Sequence, residues 1–284
     1  MIIVKLKGGL GNQMFQYAAA KALALHNNTQ TKLDISEYST DQLRNFDLTK
    51  LNAGIAVATE SEIKRLKAYN SIDRVISRMT PINKRRFYKE PFFHFDNNFF
   101  KLGPDIYIQG YFQSEKYFSP IQEIIRKEYR LKESIQCNVE KLCHELKYVN
   151  SVSIHIRKGD YQNKETQDVH GILPIEYYHK AIRKIHQLVA DPKFYIFTDD
   201  KRWAEDNFNV PNSTIVSGNF STDHFEDLYL MTQCSHNIIA NSSFSWWGAW
   251  LNANPNKNVI APLKWFNNGP SDVQDLIPEN WIRL

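Results

Sequence analysis

Only three cysteines, Cys137, Cys143 and Cys234, occur in 284 residues, and none are spaced Cys-x-x-Cys. Three thiols cannot form a fully paired disulfide framework, so a reduced, cytosolic setting is expected. Asp-x-Asp and His-Glu-x-x-His are both absent, and with them two common signatures of a metal site. So is Gly-x-Ser-x-Gly, which argues against a nucleophilic serine of the hydrolase type. No apolar run approaches the roughly 18 residues of a membrane-spanning helix. Met1–Lys7 lacks the apolar centre and small-residue cleavage site of a signal peptide. Neither sign of charge dominates: 35 Lys+Arg against 31 Asp+Glu leave +4, spread along the chain. That excess fits an anionic small molecule and is far from a nucleic-acid-binding footprint. The chain is therefore expected to be cytoplasmic, with peripheral attachment to the inner membrane face compatible with it. Its oligomeric state is not encoded legibly.

What is present is a globular composition, 42% hydrophobic and 23% charged, long enough for about two domains. Ile2–Leu6 reads as a strand, Gly8–Gly11 as a turn, and Gln13–Leu25 as an Ala-rich helix with Phe15, Ala18, Ala19 and Ala22 at helical spacing. A strand over Thr31–Ile35 follows. Residues 40–105 are less regular; Glu60–Lys67 reads as a helix, and Lys84-Arg85-Arg86 precedes the aromatic stretch Phe92-Phe93-His94-Phe95. Tyr107–Gln113 returns to strand and Pro120–Tyr129 to helix. From Ser151 onward strands and helices alternate: 151–156, 174–189, 193–197, 202–208, 213–216, 224–234, 237–240, 244–251 and 258–260. That rhythm predicts a doubly wound parallel sheet. The polar segment Lys132–Tyr148 is the expected boundary, giving α/β domains over 1–140 and 141–284, two Rossmann-like halves facing a cleft.

Ligands of such sheets lie beyond the carboxyl ends of the strands, where four clusters fall. Gly8-Gly9-Leu10-Gly11-Asn12-Gln13 follows the first strand. Its glycines allow close backbone approach, and the helix start offers free N–H groups. It reads equally as a tight turn, or as a degenerate dinucleotide fingerprint with Met14 in place of the third glycine and Asp34 as the ribose acid. His155 and Arg157 share one side of the Ser151–Ile156 strand, opposite Ile154 and Ile156. The Arg157 guanidinium suits a phosphate, or a structural ion pair with Asp160. Thr198-Asp199-Asp200 closes another strand, as a helix cap rather than a metal site. Asn241-Ser242-Ser243-Phe244 opens a helix with the hydroxyls of an anion cradle. Trp246, Trp247 and Trp250 follow it, the last two read as core. Together these groups suggest a diphosphate bound by protein donors alone, as a leaving nucleotide in sugar transfer would require.

The motifs resemble those of glycosyltransferase family 11, the α-1,2-fucosyltransferases of bacteria and animals. The resemblance is carried by Gly8 through Ala18 (GGLGNQMFQYA), by His155 through Tyr161 (HIRKGDY), by Asn241 through Trp247 (NSSFSWW) and by Ile277 through Trp281 (IPENW). It implies a GT-B-like fold, GDP-L-fucose as donor, a terminal β-galactoside in a glycan or surface-polysaccharide precursor such as O-antigen as acceptor, and inversion without cofactor or metal. It places nucleotide in the C-terminal half and acceptor in the N-terminal half. Arg157 would hold the β-phosphate, and Asn241, Ser242, Ser243 and Phe244 the diphosphate, with Gly9, Gly11, Thr198 and Asp199 around the donor. Asp227 stands at the spacing from the paired serines at which related α-1,6-fucosyltransferases read guanine, with His155 as a second contact. Asn12 would touch the sugar or leaving-group oxygens. Asp160 is the first candidate for general base, with Glu165 and His170 as alternatives. Two other classes remain open: an NAD(P)-dependent oxidoreductase resting on Gly9, Gly11 and Asp34, and a non-catalytic sugar- or nucleotide-binding module.

Overall fold

The computed structural model describes residues 1–41, 43–67, 73, 75, 79–158, 168, 169 and 171–284. The chain divides into two compact units, Met1–Arg130 with Asp272–Pro278, and Leu131–Ser271 with Glu279–Leu284.

The first unit contains strands β1 (Ile2–Lys5), β2 (Thr31–Asp34), β3 (Phe87–Lys89) and β4 (Ile106–Gln109), in the order β2-β1-β4-β3. All are parallel; Val4 pairs with Leu33 on one side and Ile108 on the other. Helix α1 (Leu10–His26) connects β1 to β2 and is buried on almost every side, from Leu10 to Ala24. Its alanines make that possible, because small side chains let neighbouring elements approach from all round. The helix starts earlier than Gln13, so Gly11 and Asn12 lie in its first turn and Gly9 is its N-cap. Helix α2 (Glu60–Leu66) opens with a capping box, Thr59 and Glu62 exchanging side-chain and backbone bonds. Helix α3 (Gln122–Glu128) follows a short 3-10 turn over Ser119–Ile121.

The second unit carries helices α4 (Glu133–Gln136) and α5 (Glu140–Leu146), then strands β5 (Asn150–Ile156), β6 (Pro192–Thr198), β7 (Ser213–Ile215), β8 (His236–Ile238), β9 (Val259–Ala261) and β10 (Ile282–Arg283). The six form a parallel sheet ordered β10-β9-β8-β5-β6-β7. Among the described residues, four more helices connect them: α6 (Ile175–Leu188), α7 (Lys201–Asn207), α8 (His224–Gln233) and α9 (Ser243–Leu251). Val152, Ile154 and Ile156 of β5 pack with Phe194, Ile196, Ile238 and Ile260 against Tyr177, Ala181 and Ile185 of α6. The alternate residues face the other way, where Asn237 Nδ2 bonds Ser153 Oγ at 2.7 Å and Met231 O at 2.9 Å. Trp246, Trp247 and Trp250 are all buried and pack on one another, with Trp281 against Trp246.

Two expectations about organisation are corrected. The division falls between Arg130 and Leu131 rather than near 140, and Asp272–Pro278 returns to the first unit. The expected boundary segment is helical and belongs to the second unit: Val139, Leu142, Cys143 and Leu146 repeat at helical spacing and are buried, an apolar face that polar neighbours obscure in the sequence.

Candidate active site

In the six-stranded sheet the chain winds outward from β5 in both directions. In the four-stranded sheet β2 lies on one side of β1 while β4, then β3, lie on the other. Each arrangement leaves a switch point where a crevice opens at the carboxyl ends. In the second unit that point lies between β5 and β8. Arg157 leaves the end of β5 and Ser242 the end of β8, and Arg157 Nη1 donates to Ser242 Oγ at 3.0 Å. Ser242 occupies the N-cap position of α9 without capping it through its side chain, so the hydroxyl is free to orient the guanidinium. Ser243 and Phe244 form the first turn of α9. His155, one step back on β5, is buried with its ring 5.7 Å from that of Phe244. Among the described residues, its Nδ1 has no hydrogen-bond partner. Burial drives the imidazole well below its ordinary pKa, opposed by Asp199 and reinforced by Arg157, so it is neutral at physiological pH.

The remaining predicted residues line the ends of the neighbouring strands β6 and β7. Thr198 N–H donates to Ser217 Oγ at 2.9 Å, and Thr198 Oγ1 accepts from Asp200 N–H. Asp199 Oδ1 accepts the Lys158 N–H at 2.7 Å; Lys158 Nζ stands 3.5 Å over the Trp203 ring. Asp200 caps α7, accepting from Trp203 N–H at 3.0 Å. In the first turn of α8, Asp227 accepts from Ser217 Oγ at 2.7 Å and from Ser221 Oγ. Burial raises its carboxyl to about 6 against the pull of these two hydroxyls. Asn241 is placed differently from the hydroxyls beside it: its amide donates to Gly171 O and Trp265 O, both at 3.1 Å, and so ties together the loops around the crevice. Asp160, Glu165 and His170 lie outside the described residues. Among those described, no group of three or more His, Cys, Asp or Glu side chains is placed to hold a metal ion, and no helix is long and apolar enough to cross a membrane.

The switch point of the first unit lies between β1 and β4. Asn12, from the loop-to-helix turn after β1, accepts at Oδ1 from Gln113 Nε2, 2.7 Å away beyond the end of β4. Gly8 has φ +78°, and a Cβ there would stand 2.7 Å from Asn12 Nδ2, so the glycine is required on two counts. Gln13 fixes this loop by donating to Gly8 O and Asn45 O, and Gln16 by pairing with both backbone groups of Lys7. Asp34, the ribose acid of the dinucleotide alternative, is fully buried and already engaged. It accepts from Tyr107 OH and Ser36 N–H, with Lys67 Nζ 3.7 Å away. The sequence did not single out Gln113, Ser217, Ser221 or Glu90. The last follows β3 directly, and recognising Phe87–Lys89 as a strand would have marked it.

The family described as Glycosyl transferase family 11 matches residues 1–284. The chain belongs to glycosyltransferase family 11. An O-antigen biosynthesis glycosyltransferase, WbnK, of Escherichia coli is 33% identical, with 98% of this chain and 99% of that protein aligned. An alpha-1,2-colitosyltransferase of Escherichia coli is also 33% identical, over 100% of this chain and 99% of that one. A galactoside alpha-(1,2)-fucosyltransferase 1 of Rattus norvegicus is 25% identical over 86% of this chain and 61% of its own length. The crystal structure of NodZ alpha-1,6-fucosyltransferase soaked with GDP-fucose superposes with a TM-score of 0.52 at 17% identity, covering 88% and 92% of the two chains. The fold of this family 11 glycosyltransferase is thus GT-B-like, as the motifs implied. Membership replaces the oxidoreductase alternative, whose acid, Asp34, is enclosed by the fold.

Proposed function

We propose that this glycosyltransferase moves L-fucose from GDP-β-L-fucose to the 2-hydroxyl of a terminal β-galactose, with inversion and without a metal ion. The observation that carries the reading is the Arg157–Ser242 contact at the switch point of the second unit. A guanidinium held by a neighbouring hydroxyl, beside the start of a nine-residue helix, matches a leaving diphosphate on which charge develops in the transition state. Preorganised donors of this kind supply what a cation supplies elsewhere. Arg157 would bind the β-phosphate, and Ser243 and the first-turn N–H groups of α9 the remaining phosphate oxygens. Neutral His155 and Phe244 would border the nucleoside, and Asp227, backed by Ser217 and Ser221, would accept from the guanine N–H edge. Gly9, Gly11 and Asn12 would meet the sugar or acceptor.

A second donor is favoured by a specific comparison, the relative named as a colitosyltransferase. Colitose is fucose without its 3-hydroxyl, so the two donors differ at one group of the sugar. Incubation with GDP-fucose or GDP-colitose and a β-galactoside, followed by NMR of the product, tests both. An α-1,2-linked fucosyl product supports the reading. Transfer of colitose alone would reassign the donor, and GDP binding without transfer from either would make the protein a binding module.

A further inference from the structure

Beyond the diphosphate site, the first unit holds a carboxylate at the same end of its sheet. Glu90 immediately follows β3, and its side chain turns over the end of β4. Oε2 accepts the Tyr111 N–H at 2.7 Å and the Phe112 N–H at 3.1 Å, and Oε1 shares the latter at 3.1 Å. The backbone is shaped to this contact. Phe112 is fully buried yet has φ +52°, a conformation costing an L-residue roughly 1–2 kcal/mol. At Gly110 a Cβ would fall 2.5 Å from both Cβ and Oε2 of Glu90. Strain of this kind in a bulky residue marks a position that the surrounding structure maintains.

The crevice wall continues directly from this turn. Gln113 reaches Asn12 across the switch point, and Lys7 Nζ stands 4.1 Å over the ring of Tyr111. An amide pair, an aromatic ring and an ammonium are groups that hydrogen-bond and pack against a sugar. Glu90 is partly exposed beside them. Among the described residues, no Lys or Arg forms an ion pair with it. The Tyr117 hydroxyl hydrogen-bonds it, Asp272 adds a like charge, and Tyr88, whose hydroxyl donates to Asp96, also faces it. Burial raises the carboxyl to about 7 despite the N–H groups that favour its charged form.

We propose that Glu90 accepts the proton of the acceptor hydroxyl. The proposal rests on the transferase reading above. As the acceptor oxygen bonds to the anomeric carbon, its O–H bond breaks and the proton passes to Glu90. The bond from that carbon to the β-phosphate oxygen breaks, and its electron pair leaves on GDP. Inversion requires a base on the face away from the leaving phosphate, and that is the role the proposal gives to Glu90. A carboxylate close to neutrality is both deprotonated enough and basic enough for this step.

Glu90→Gln is the direct test, because its amide oxygen can replace Oε2 and keep both N–H bonds. Turnover should fall by ~10²–10⁴-fold, the usual contribution of a positioned base, while GDP affinity stays unchanged. The rise of kcat/KM for acceptor through about pH 7 should disappear. In the native protein, carboxyl-carbon NMR should show one glutamate titrating near that pH and shifting when a β-galactoside is added. Transfer by Glu90→Gln at a near-native rate would overturn the proposal. So would loss of transfer in proportion to GDP binding, a native protein with no galactoside-responsive carboxyl, or a pH limb removed by Asp160→Asn and retained in Glu90→Gln. Failure of the native protein to transfer any sugar would instead remove the transferase reading, and this proposal with it.

Discussion

Arg157 and Ser242 lie 85 positions apart in sequence, yet the guanidinium donates to the hydroxyl at 3.0 Å. They meet because β5 and β8 are neighbours in the sheet and both chains leave it at the same end. If this contact holds the cation for a leaving diphosphate, Arg157→Ala should reduce turnover by ~10²–10³-fold, the cost of one oxyanion-type donor. Ser242→Ala should cost less, since it loosens the guanidinium without removing it. Steady-state kinetics at saturating donor check both, and an unchanged rate in Arg157→Ala would make the residue structural.

Asp227 predicts a pH-dependent affinity for GDP. Its carboxyl is raised to about 6 by burial, opposed by Ser217, Ser221 and His224 and reinforced by Glu226. Only the ionised form can accept from both guanine donors, so GDP binding should strengthen as pH rises through about 6. Asp227→Asn should weaken GDP by about tenfold or more, the range for hydrogen bonds to a charged group, and flatten that dependence. For stability the sign is reversed. The raised pKa contributes stability fully below the ordinary value of 3.8, and the contribution is lost as pH rises through about 6. Calorimetry with GDP and UDP, and denaturation across pH 4–7, test the two effects separately.

Gly8→Ala should destabilise the first unit by roughly 1–2 kcal/mol from its left-handed backbone alone, with a further cost from displacing Asn12. Urea unfolding measures this. Its effect on acceptor KM should exceed its effect on GDP affinity.

Gly110→Ala makes a contrasting prediction. Its Cβ would collide with Glu90, so turnover should fall with GDP affinity preserved, and the acceptor pH profile should shift. A variant with native turnover would show that the carboxylate can move without consequence.

The alternation of Ser153, Ile154, His155, Ile156 and Arg157 made the strand end that carries the second unit's candidate site legible, because a buried parallel strand exposes its chemistry where it ends. The glycine turn and the hydroxyl-rich start of α9 were legible for the same reason. The Asn12–Gln113 contact was not, since it depends on β4 pairing with β1 across a hundred residues of chain. Glu90 was hidden by the brevity of β3, whose three residues carry no periodicity. The return of Asp272 and Asp275 to the first unit, where they accept the Phe93 and Phe95 N–H groups, has no local signal at all. These segments become informative only through their long-range partners.

The most direct test of the whole account is transfer from GDP-fucose to a β-galactoside in excess chelator, compared between the native protein and Arg157→Ala. The account predicts α-1,2-linked product at a rate insensitive to added Mg²⁺ or Mn²⁺, and a large loss in the variant. Transfer that stops in chelator and returns with either cation, or that survives removal of the guanidinium, would contradict it.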